Sequence, residues 1–169
     1  MDIESVRVDR LGPDEWRRFR RIRLLALAEA PYAFGSTLAS AQARTDREWR
    51  ELLAARTQFL ATAGDHDLGT IGAVSESNAA HLISMWVDPE ARGTGVADLL
   101  VRSVVDWAIA TDHRGIHLEV SDGNTAAERL YSRHGFRRTG VAGVISPDDP
   151  RLEFEMRLTL PRNPYRTTA

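Results

Sequence analysis

The segment from Trp86 to Ala97, WVDPEARGTGVA, constrains the fold more than any other part of the chain. An apolar run ends at Val87, an Asp-Pro turn follows, and a loop with two spaced glycines opens a long apolar helix. Glycine lets the backbone approach a ligand closely, and the first turn of a helix has free N–H groups and a positive dipole end. The segment therefore predicts a cradle for a pyrophosphate-like anion. The alternative is an ordinary strand–loop–helix connection.

Composition excludes several classes of protein and site. The chain has 169 residues, which suits one domain with a sizeable core. Its formal net charge is -2, so no overall attraction to nucleic acid or to an anionic membrane is expected. The sequence has no cysteine, which excludes disulfides, thiolate metal ligands and a cysteine nucleophile. No signal peptide or membrane span is visible. We therefore expect a soluble, cytoplasmic protein.

Hydrophobic periodicity predicts one α/β domain over residues 1–169, with a loosely ordered tail after about residue 161. Helices are expected from Pro13 up to a loop at 30–37, and at about 45–56, 94–111 and 124–134. Strands are expected at 3–8, 59–63, 68–74, 81–87, 116–120, 136–141 and 152–160. The helix at 94–111 joins two of them as a crossover, which implies parallel pairing. The result is a mixed, mostly antiparallel sheet of about seven strands with helices on both faces.

The predicted crossover helix has one buried face and one charged face. Leu100, Val104 and Trp107 recur at helical spacing and are expected to be buried. Asp98, Arg102 and Asp106 lie four residues apart, which predicts a solvated row of charges.

A second pattern, N-x-x-A-x-x-L-Y-x-x-x-G-F, runs from Asn124 to Phe136. Together with the loop at 92–97, which fits [Q/R]-x-x-G-x-[G/A], it resembles the GNAT superfamily of acyl-CoA-dependent N-acetyltransferases. The close likeness covers residues 81–136, and the first third follows only the general layout of that family. The resemblance implies acetyl-CoA as co-substrate, a primary amine as acceptor, no metal, and homodimers as a common assembly.

The resemblance also implies where the cofactor binds. Strands 81–87 and 116–120 would begin paired and then splay, leaving a slot for the pantetheine arm, while the pyrophosphate lies on the glycine loop. Instead of binding the cofactor, Arg92 could pack the turn. Asn124 could cap the helix that it precedes, with or without contacting the cofactor. The cofactor-binding residues implied are Met85, Trp86, Val87, Arg92, Gly93, Thr94, Gly95, Val96, Ala97, Asp98, Asn124, Ala127 and Tyr131.

Three residues are candidates for proton transfer. The resemblance makes the Tyr131 hydroxyl the general acid for the departing thiolate, with a core tyrosine as the alternative. Relatives often carry a glutamate on the strand before the phosphate loop, but this strand has none, so His81 is the first candidate base and Glu119 the second. A lone histidine near a strand start is more often structural. A backbone N–H near Val87 is a candidate oxyanion donor.

The sequence gives less information about the residues that would bind the acceptor amine. In relatives the first two helices and their loop line it, which here corresponds to residues 24–37. Arg20 and Arg23 flank the apolar stripe of the first helix and could hold an anionic group of the acceptor, or simply snorkel. Tyr32 and Phe34 could form an apolar wall or anchor the loop.

Three functions compete. The leading hypothesis is an N-acetyltransferase in which the amine attacks acetyl-CoA directly. A non-catalytic acyl-CoA-binding regulatory module is the alternative, disfavoured by the intact loop and tyrosine. A nucleic-acid surface on the arginine-rich first helix is disfavoured by the acidic balance and by the apolar stripe of that helix. We therefore expect no nucleic-acid partner and no membrane partner.

Overall fold

The computed structural model describes residues 3–146 and 149–161, in which helices pack on both faces of one seven-stranded sheet. The strand order is β1-β2-β3-β4-β5-β7-β6. β4 and β5 pair in parallel and all other neighbours pair antiparallel. The predicted mixed, mostly antiparallel sheet is therefore confirmed. The strands are β1 (Arg7–Arg10), β2 (Thr57–Ala63), β3 (His66–Glu76), β4 (Ala79–Val87), β5 (Gly115–Ser121), β6 (Arg137–Ser146) and β7 (Asp149–Thr159).

The helices begin and end at signals visible in the sequence. Thr45 caps α3 through a capping box with Glu48, and Asn124 caps α5 by accepting the N–H of Ala127. α4 starts directly after Gly95, which has a left-handed backbone conformation. The helices are α1 (Trp16–Glu29), α2 (Leu38–Gln42), α3 (Asp46–Ala54), α4 (Val96–Ala110) and α5 (Thr125–Arg133).

Two hydrophobic clusters hold these helices on the sheet. On one face, α4 and α5 bury Leu100, Val104 and Tyr131 among apolar strand residues. On the other, α1 and α3 bury an aromatic group that includes Phe19 and Trp49, whose rings meet edge-on with centroids 5.7 Å apart. Burial of these large side chains is the main stabilising contribution to the fold.

The parallel pair separates soon after it forms. β4 and β5 pair only at Ala79–Gly115, Ala80–Ile116 and His81–His117. The register of β4 against β3 then shifts, and Ser84 adopts φ 57. Such a bulge bends its strand locally. Beyond His81, the edge of β4 that faces β5 has no strand partner among the described residues, and a gap opens between the two strands.

Several local predictions differ from the structure. Ile3–Ser5 is a 3₁₀ turn closed by the Val6 N–H on the Ile3 carbonyl, so the strand predicted at 3–8 begins only at Arg7. The short helix α2 was not predicted. The Asp98 carboxylate is paired with α5 rather than belonging to a solvated row, and Trp107 is only half-buried.

Two further expectations concern the tail and membranes. The tail predicted to be loose after residue 161 lies outside the described residues. Across residues 3–146 and 149–161, no helix has the length and apolarity that a bilayer crossing needs.

Candidate active site

A cleft of about 400 Å³ lies where β4 and β5 separate. Its walls come from β4, β5, α5 and the segment after α1, with Ile145 and Glu153 at one side. Of the residues predicted from the sequence, the cleft is lined by His81, Met85, Glu119, Asn124, Ala127, Tyr131, Arg23, Tyr32 and Phe34. The structure thus brings together predicted donor-side and acceptor-side residues that are up to 108 positions apart, from Arg23 to Tyr131.

The glycine loop presents free backbone donors at the start of α4. Gly93 and Gly95 have φ 77 and 98, the left-handed region that glycine adopts without steric cost. Within the described chain, no hydrogen bond occupies the N–H groups of Gly93, Gly95, Val96 and Ala97. Since α4 is 15 residues long, these donors lie at the positive end of a full helix dipole. The arrangement suits a diphosphate. Thr94 instead turns inward, with its hydroxyl donating to the Ala91 carbonyl at 2.6 Å.

Arg92 and Asp98 flank this loop and are both engaged by the protein. Arg92 donates Nε to the Val87 carbonyl at 3.0 Å and Nη2 to Glu29 at 2.8 Å, which fixes the turn. The Asp98 N–H donates to the Gly95 carbonyl, and its carboxylate accepts two 2.7 Å bonds from Arg133. The hydrogen bonds from Arg133 are the largest cause that lowers the pKa of the Asp98 carboxyl, and the hydrogen bond from His134 adds to it, so that this pKa falls to about 2. Without Arg133, the Asp98 carboxylate would place a negative charge beside a diphosphate bound on the loop. The Arg133 guanidinium of α5 neutralises that charge.

Tyr131 reaches the cleft from α5 with a buried ring. The ring packs edge-on against Phe136, with centroids 5.6 Å apart. Burial raises the pKa of Tyr131 above its ordinary value, so the hydroxyl stays protonated at neutral pH. A phenol that lines a cleft and keeps its proton can donate it to a leaving thiolate. The capping role of Asn124 is formed as well, since its Oδ1 accepts the Ala127 N–H at 3.1 Å.

Two of the predicted pantetheine contacts do not line the cleft. The Trp86 side chain is buried with the α1–α3 cluster, and its Nε1 donates to Glu29 at 2.9 Å. Val87 is buried opposite Gly69 of β3, and its carbonyl accepts from Arg92. Met85 does line the cleft. Any contact of Trp86 or Val87 with a ligand in the gap would come from backbone groups.

His81 is held between two carboxylates at the point where the strands separate. Its Nε2 lies 2.6 Å from Oε2 of Glu119, and its Nδ1 lies 3.2 Å from Oε1 of Glu76. The hydrogen bond to Glu119 is the largest cause of a raised His81 pKa, opposed by burial, and it lowers the pKa of Glu119. The pair can therefore hold and release a proton beside the cleft.

The neighbouring His117 extends this group. Its ring stacks on His81 with centroids 4.4 Å apart, and its Nε2 lies 3.0 Å from Glu76. Two overlapping sets, Glu76–His81–His117 and His117–Glu119–Glu155, have potential ligand atoms within 4.8 Å of one another. Within the described part of the chain, these two sets are the groups that could hold a metal ion, because imidazole and carboxylate are both common ligands.

One titratable residue of the cleft, Glu153, was not among the residues predicted from the sequence. Glu153 on β7 lies opposite Ser121 of β5, at the wide end of the gap. Burial, followed by the charge of Glu119, raises its pKa. The only available signal was its position within the last predicted strand, which does not specify the face it occupies.

The acceptor-side predictions fall into two groups. Arg23 lines the cleft, and its guanidinium lies 4.3 Å from the centre of the Phe34 ring, so the two form a cation–π pair at the wall. Tyr32 lines the cleft while remaining 63% exposed. Arg20 is exposed on α1 and does not line the cleft.

Solved structures show where this fold recurs. A GNAT acetyltransferase from Streptococcus pneumoniae superposes with a TM-score of 0.76 at 18% identity, covering 92% of this chain and 99% of that one. Ribosomal-protein-S18-alanine N-acetyltransferase from Escherichia coli gives 0.68 at 17% identity, over 96% and 99%. Spermidine N-acetyltransferase from Vibrio cholerae, solved with CoA and spermine, gives 0.67 at 16% identity, over 92% and 96%.

Sequence comparisons point to the same group of proteins. Human N-acetylaspartate synthetase is 34% identical over 88 residues, which is 48% of this chain and 29% of that protein. The chain thus matches less than a third of that relative's length. The profile of the acetyltransferase (GNAT) family matches residues 20–136. On that match, which contains both the glycine loop and Tyr131, the chain belongs to the GNAT acetyltransferase family.

Proposed function

We propose that this chain transfers an acetyl group from acetyl-CoA to a primary amine. One observation carries the proposal: the gap between β4 and β5 opens beside four free N–H groups and beside the buried Tyr131. The diphosphate lies on Gly93, Gly95, Val96 and Ala97, and the pantetheine arm runs along the unpaired edge of β4. The thioester then lies in the cleft.

The reaction needs two proton transfers that the cleft residues supply. The amine nitrogen attacks the thioester carbonyl carbon, so that a C–N bond forms and the C–S bond breaks. The His81–Glu119 pair takes the proton that the amine loses, and Tyr131 gives its proton to the departing sulfur. Orientation of donor and acceptor in one cleft supplies much of the rate.

Two groups of relatives define the acceptors to be tested. The acceptors to be screened include aspartate, because N-acetylaspartate synthetases are among the relatives, and polyamines, because spermidine N-acetyltransferase is among the structural neighbours. Peptide N-termini and lysine side chains complete the panel. Acetylation of any member, measured as CoA release, supports the proposal. Because the chain has no cysteine, a thiol reagent reports CoA without a background from the protein.

Tyr131→Phe separates catalysis from binding. The variant keeps the ring that packs on Phe136 and loses only the hydroxyl, so we expect CoA affinity and melting temperature to stay close to the original. The turnover rate should fall by about 10²- to 10⁴-fold. Tight CoA binding without acetylation of any amine would instead identify a non-catalytic acyl-CoA-binding module. An undiminished rate in the variant would remove Tyr131 from the mechanism.

A further inference from the structure

Three arginines from separate parts of the chain converge on a small cavity beside the cleft. Arg23 comes from α1, Arg44 follows α2, and Arg56 follows α3. The cavity has a volume of about 150 Å³ and is also lined by Trp49 and Ser36. We call it the arginine cavity.

Among the residues that the structure describes, no aspartate or glutamate lines the arginine cavity. Within residues 3–146 and 149–161, none of the ion pairs involves Arg23, Arg44 or Arg56. Nη1 of Arg23 and Nε of Arg56 are buried and have no hydrogen-bond partner in that part of the chain. Buried donors of a charged group normally have partners, since leaving them unpaired is costly. An anion that the protein itself does not supply would satisfy both.

Hydroxyl and ring contacts hold the guanidinium groups, and the one carboxylate that interacts with them among the described residues is Glu48, outside the lining, whose pKa the charge of Arg44 helps to lower after its bonds to Thr45. Arg23 donates Nη2 to Ser36 Oγ at 2.8 Å and lies over Phe34, while Arg56 lies 5.7 Å from the centre of the Phe19 ring. Arg44 lies 5.7 Å from the centre of the Trp49 ring. Burial, followed by the charges of Arg56 and Arg44, lowers the Arg23 pKa to about 10. Arg23 therefore stays cationic at neutral pH, and it is repelled by the charges of Arg56 and Arg44.

The arginine cavity adjoins the cleft. Arg23 lines both spaces, and Nη1 of Arg56 donates to Oγ of Ser84 at 3.4 Å, with Ser84 also lining the cleft. A ligand whose anionic end lies among the arginines can therefore extend toward His81 and Glu119. Guanidinium forks bind carboxylate and phosphate through paired hydrogen bonds.

We propose that the arginine cavity binds a compact oxyanion of the acceptor, so that the substrate is a small amine with a carboxylate or phosphate at its other end. This inference rests on the proposed acetyl transfer, whose acceptor it specifies. It also excludes polycationic amines as good substrates, because the three guanidinium groups would repel them.

Matched acceptors test the proposal. We would measure kcat/KM for β-alanine against β-alaninamide, γ-aminobutyrate against γ-aminobutyramide, and phosphoethanolamine against ethanolamine, with spermidine as the cationic member. Each pair keeps the reacting amine and changes the far end. We expect at least one acidic member to exceed its neutral partner by about 10- to 100-fold, as charged hydrogen bonds allow. The first two pairs report a carboxylate preference and the third a phosphate preference.

Substitutions assign that preference to the cavity. Arg56→Gln should remove most of the acid preference, mainly by raising KM for the acidic member of each pair. Arg47→Gln is the matched control, since Arg47 is an exposed arginine paired with Glu51 on α3. Equal kcat/KM for acidic and neutral partners, or an unchanged preference in Arg56→Gln, would overturn the proposal.

A stability measurement gives a second readout that does not need turnover. Arg44→Gln removes one of three repelling charges, so the ligand-free variant should melt at a higher temperature than the original chain. Succinate or inorganic phosphate should raise the melting temperature of the original chain and do so less in the variant. A lower melting temperature in Arg44→Gln together with an undiminished effect of succinate and phosphate would contradict the proposal.

The two sets of measurements also separate this inference from the proposed function. Acetylation of neutral amines with no effect of succinate or phosphate would refute the arginine cavity and leave the transferase intact. Binding of succinate or phosphate with no acetylation of any amine would refute the transferase instead.

Discussion

His81 Nε2 lies 2.6 Å from Glu119 Oε2, across the last residue pair that β4 and β5 share before they separate. The relationship follows from the register, because His81 lies opposite His117 and Glu119 is two residues further along the same face of β5. The pair that we propose as the proton acceptor therefore lies at the mouth of the gap in which we propose that the thioester binds.

The pair should set the pH dependence of acetylation. His81 must be neutral to accept a proton, and its bond to Glu119 raises its pKa, so kcat/KM should rise with pH through a value above about 6.5. Glu119→Gln removes the largest cause of that shift and leaves burial, which lowers the His81 pKa, opposed by the smaller raising effect of Glu76. The midpoint of the rise should therefore move to lower pH.

Glu51→Gln is the control for this profile, since Glu51 is an exposed carboxylate on α3 that pairs with Arg47. One acceptor is used throughout, so the ionisation of the amine is common to all variants. A lower rate in Glu119→Gln without a change in the midpoint would contradict the assignment of His81 as the base.

The geometry of the glycine loop can be tested at Gly95. Its φ of 98 lies in the left-handed region, so Gly95→Ala should destabilise the fold by about 1–2 kcal/mol. The substitution should also weaken CoA binding, because Gly95 precedes α4 and carries one of the free N–H groups. Gly12→Ala is the control, since Gly12 has φ -93 and its added Cβ would come no nearer than 4.0 Å to Glu15. Equal CoA affinity in both variants would refute the cradle.

The lowered pKa of Asp98 predicts that the folded protein loses stability in acid. Its carboxyl pKa is about 2 in the folded chain and about 3.9 when unfolded. The Asp98–Arg133 pair therefore stabilises the protein fully above pH ~4 and loses its contribution as the pH falls toward ~2. Asp98→Asn should melt about 2–4 °C lower at neutral pH, and the two curves should converge in acid. A constant difference across that range would show that the ion pair is not its cause.

The histidine–glutamate group near His117 allows a test for metal. The proposed proton transfers use His81, Glu119 and Tyr131 and need no Lewis acid, so we expect a chelator to leave acetylation unchanged. Loss of activity with a chelator and its recovery with zinc would contradict this expectation and make the two candidate ligand sets around His117 the first place to look for a required ion.

Sequence patterns predicted those features of the fold that depend on residues within a single helix or strand. The capping box at Thr45 and the apolar stripe of α1 were both visible in the sequence and are formed. The strand predicted at 3–8 was wrong at its start, because one backbone hydrogen bond closes a 3₁₀ turn at Ile3 before pairing begins. Helix α2 has five residues, too few for a periodic pattern to develop.

The site was less predictable where distant residues meet. Asp98 looked like part of a solvated row along α4, but its partner Arg133 lies 35 positions away on α5. Arg44 and Arg56 gave no signal, since only the packing of α1, α2 and α3 brings them to Arg23. Glu153 was missed because strand facing depends on bulges, which spacing alone does not reveal.

Calorimetric titration of the original chain and of Gly95→Ala with dephospho-coenzyme A, which carries the diphosphate and adenosine, and with pantetheine, which lacks both, tests the central claim most directly. If the diphosphate rests on the N–H groups at the start of α4, the first ligand should bind about 100-fold more tightly or better, and Gly95→Ala should reduce that ratio while leaving pantetheine affinity unchanged. Equal affinities for the two ligands, or no binding of either, would contradict the account.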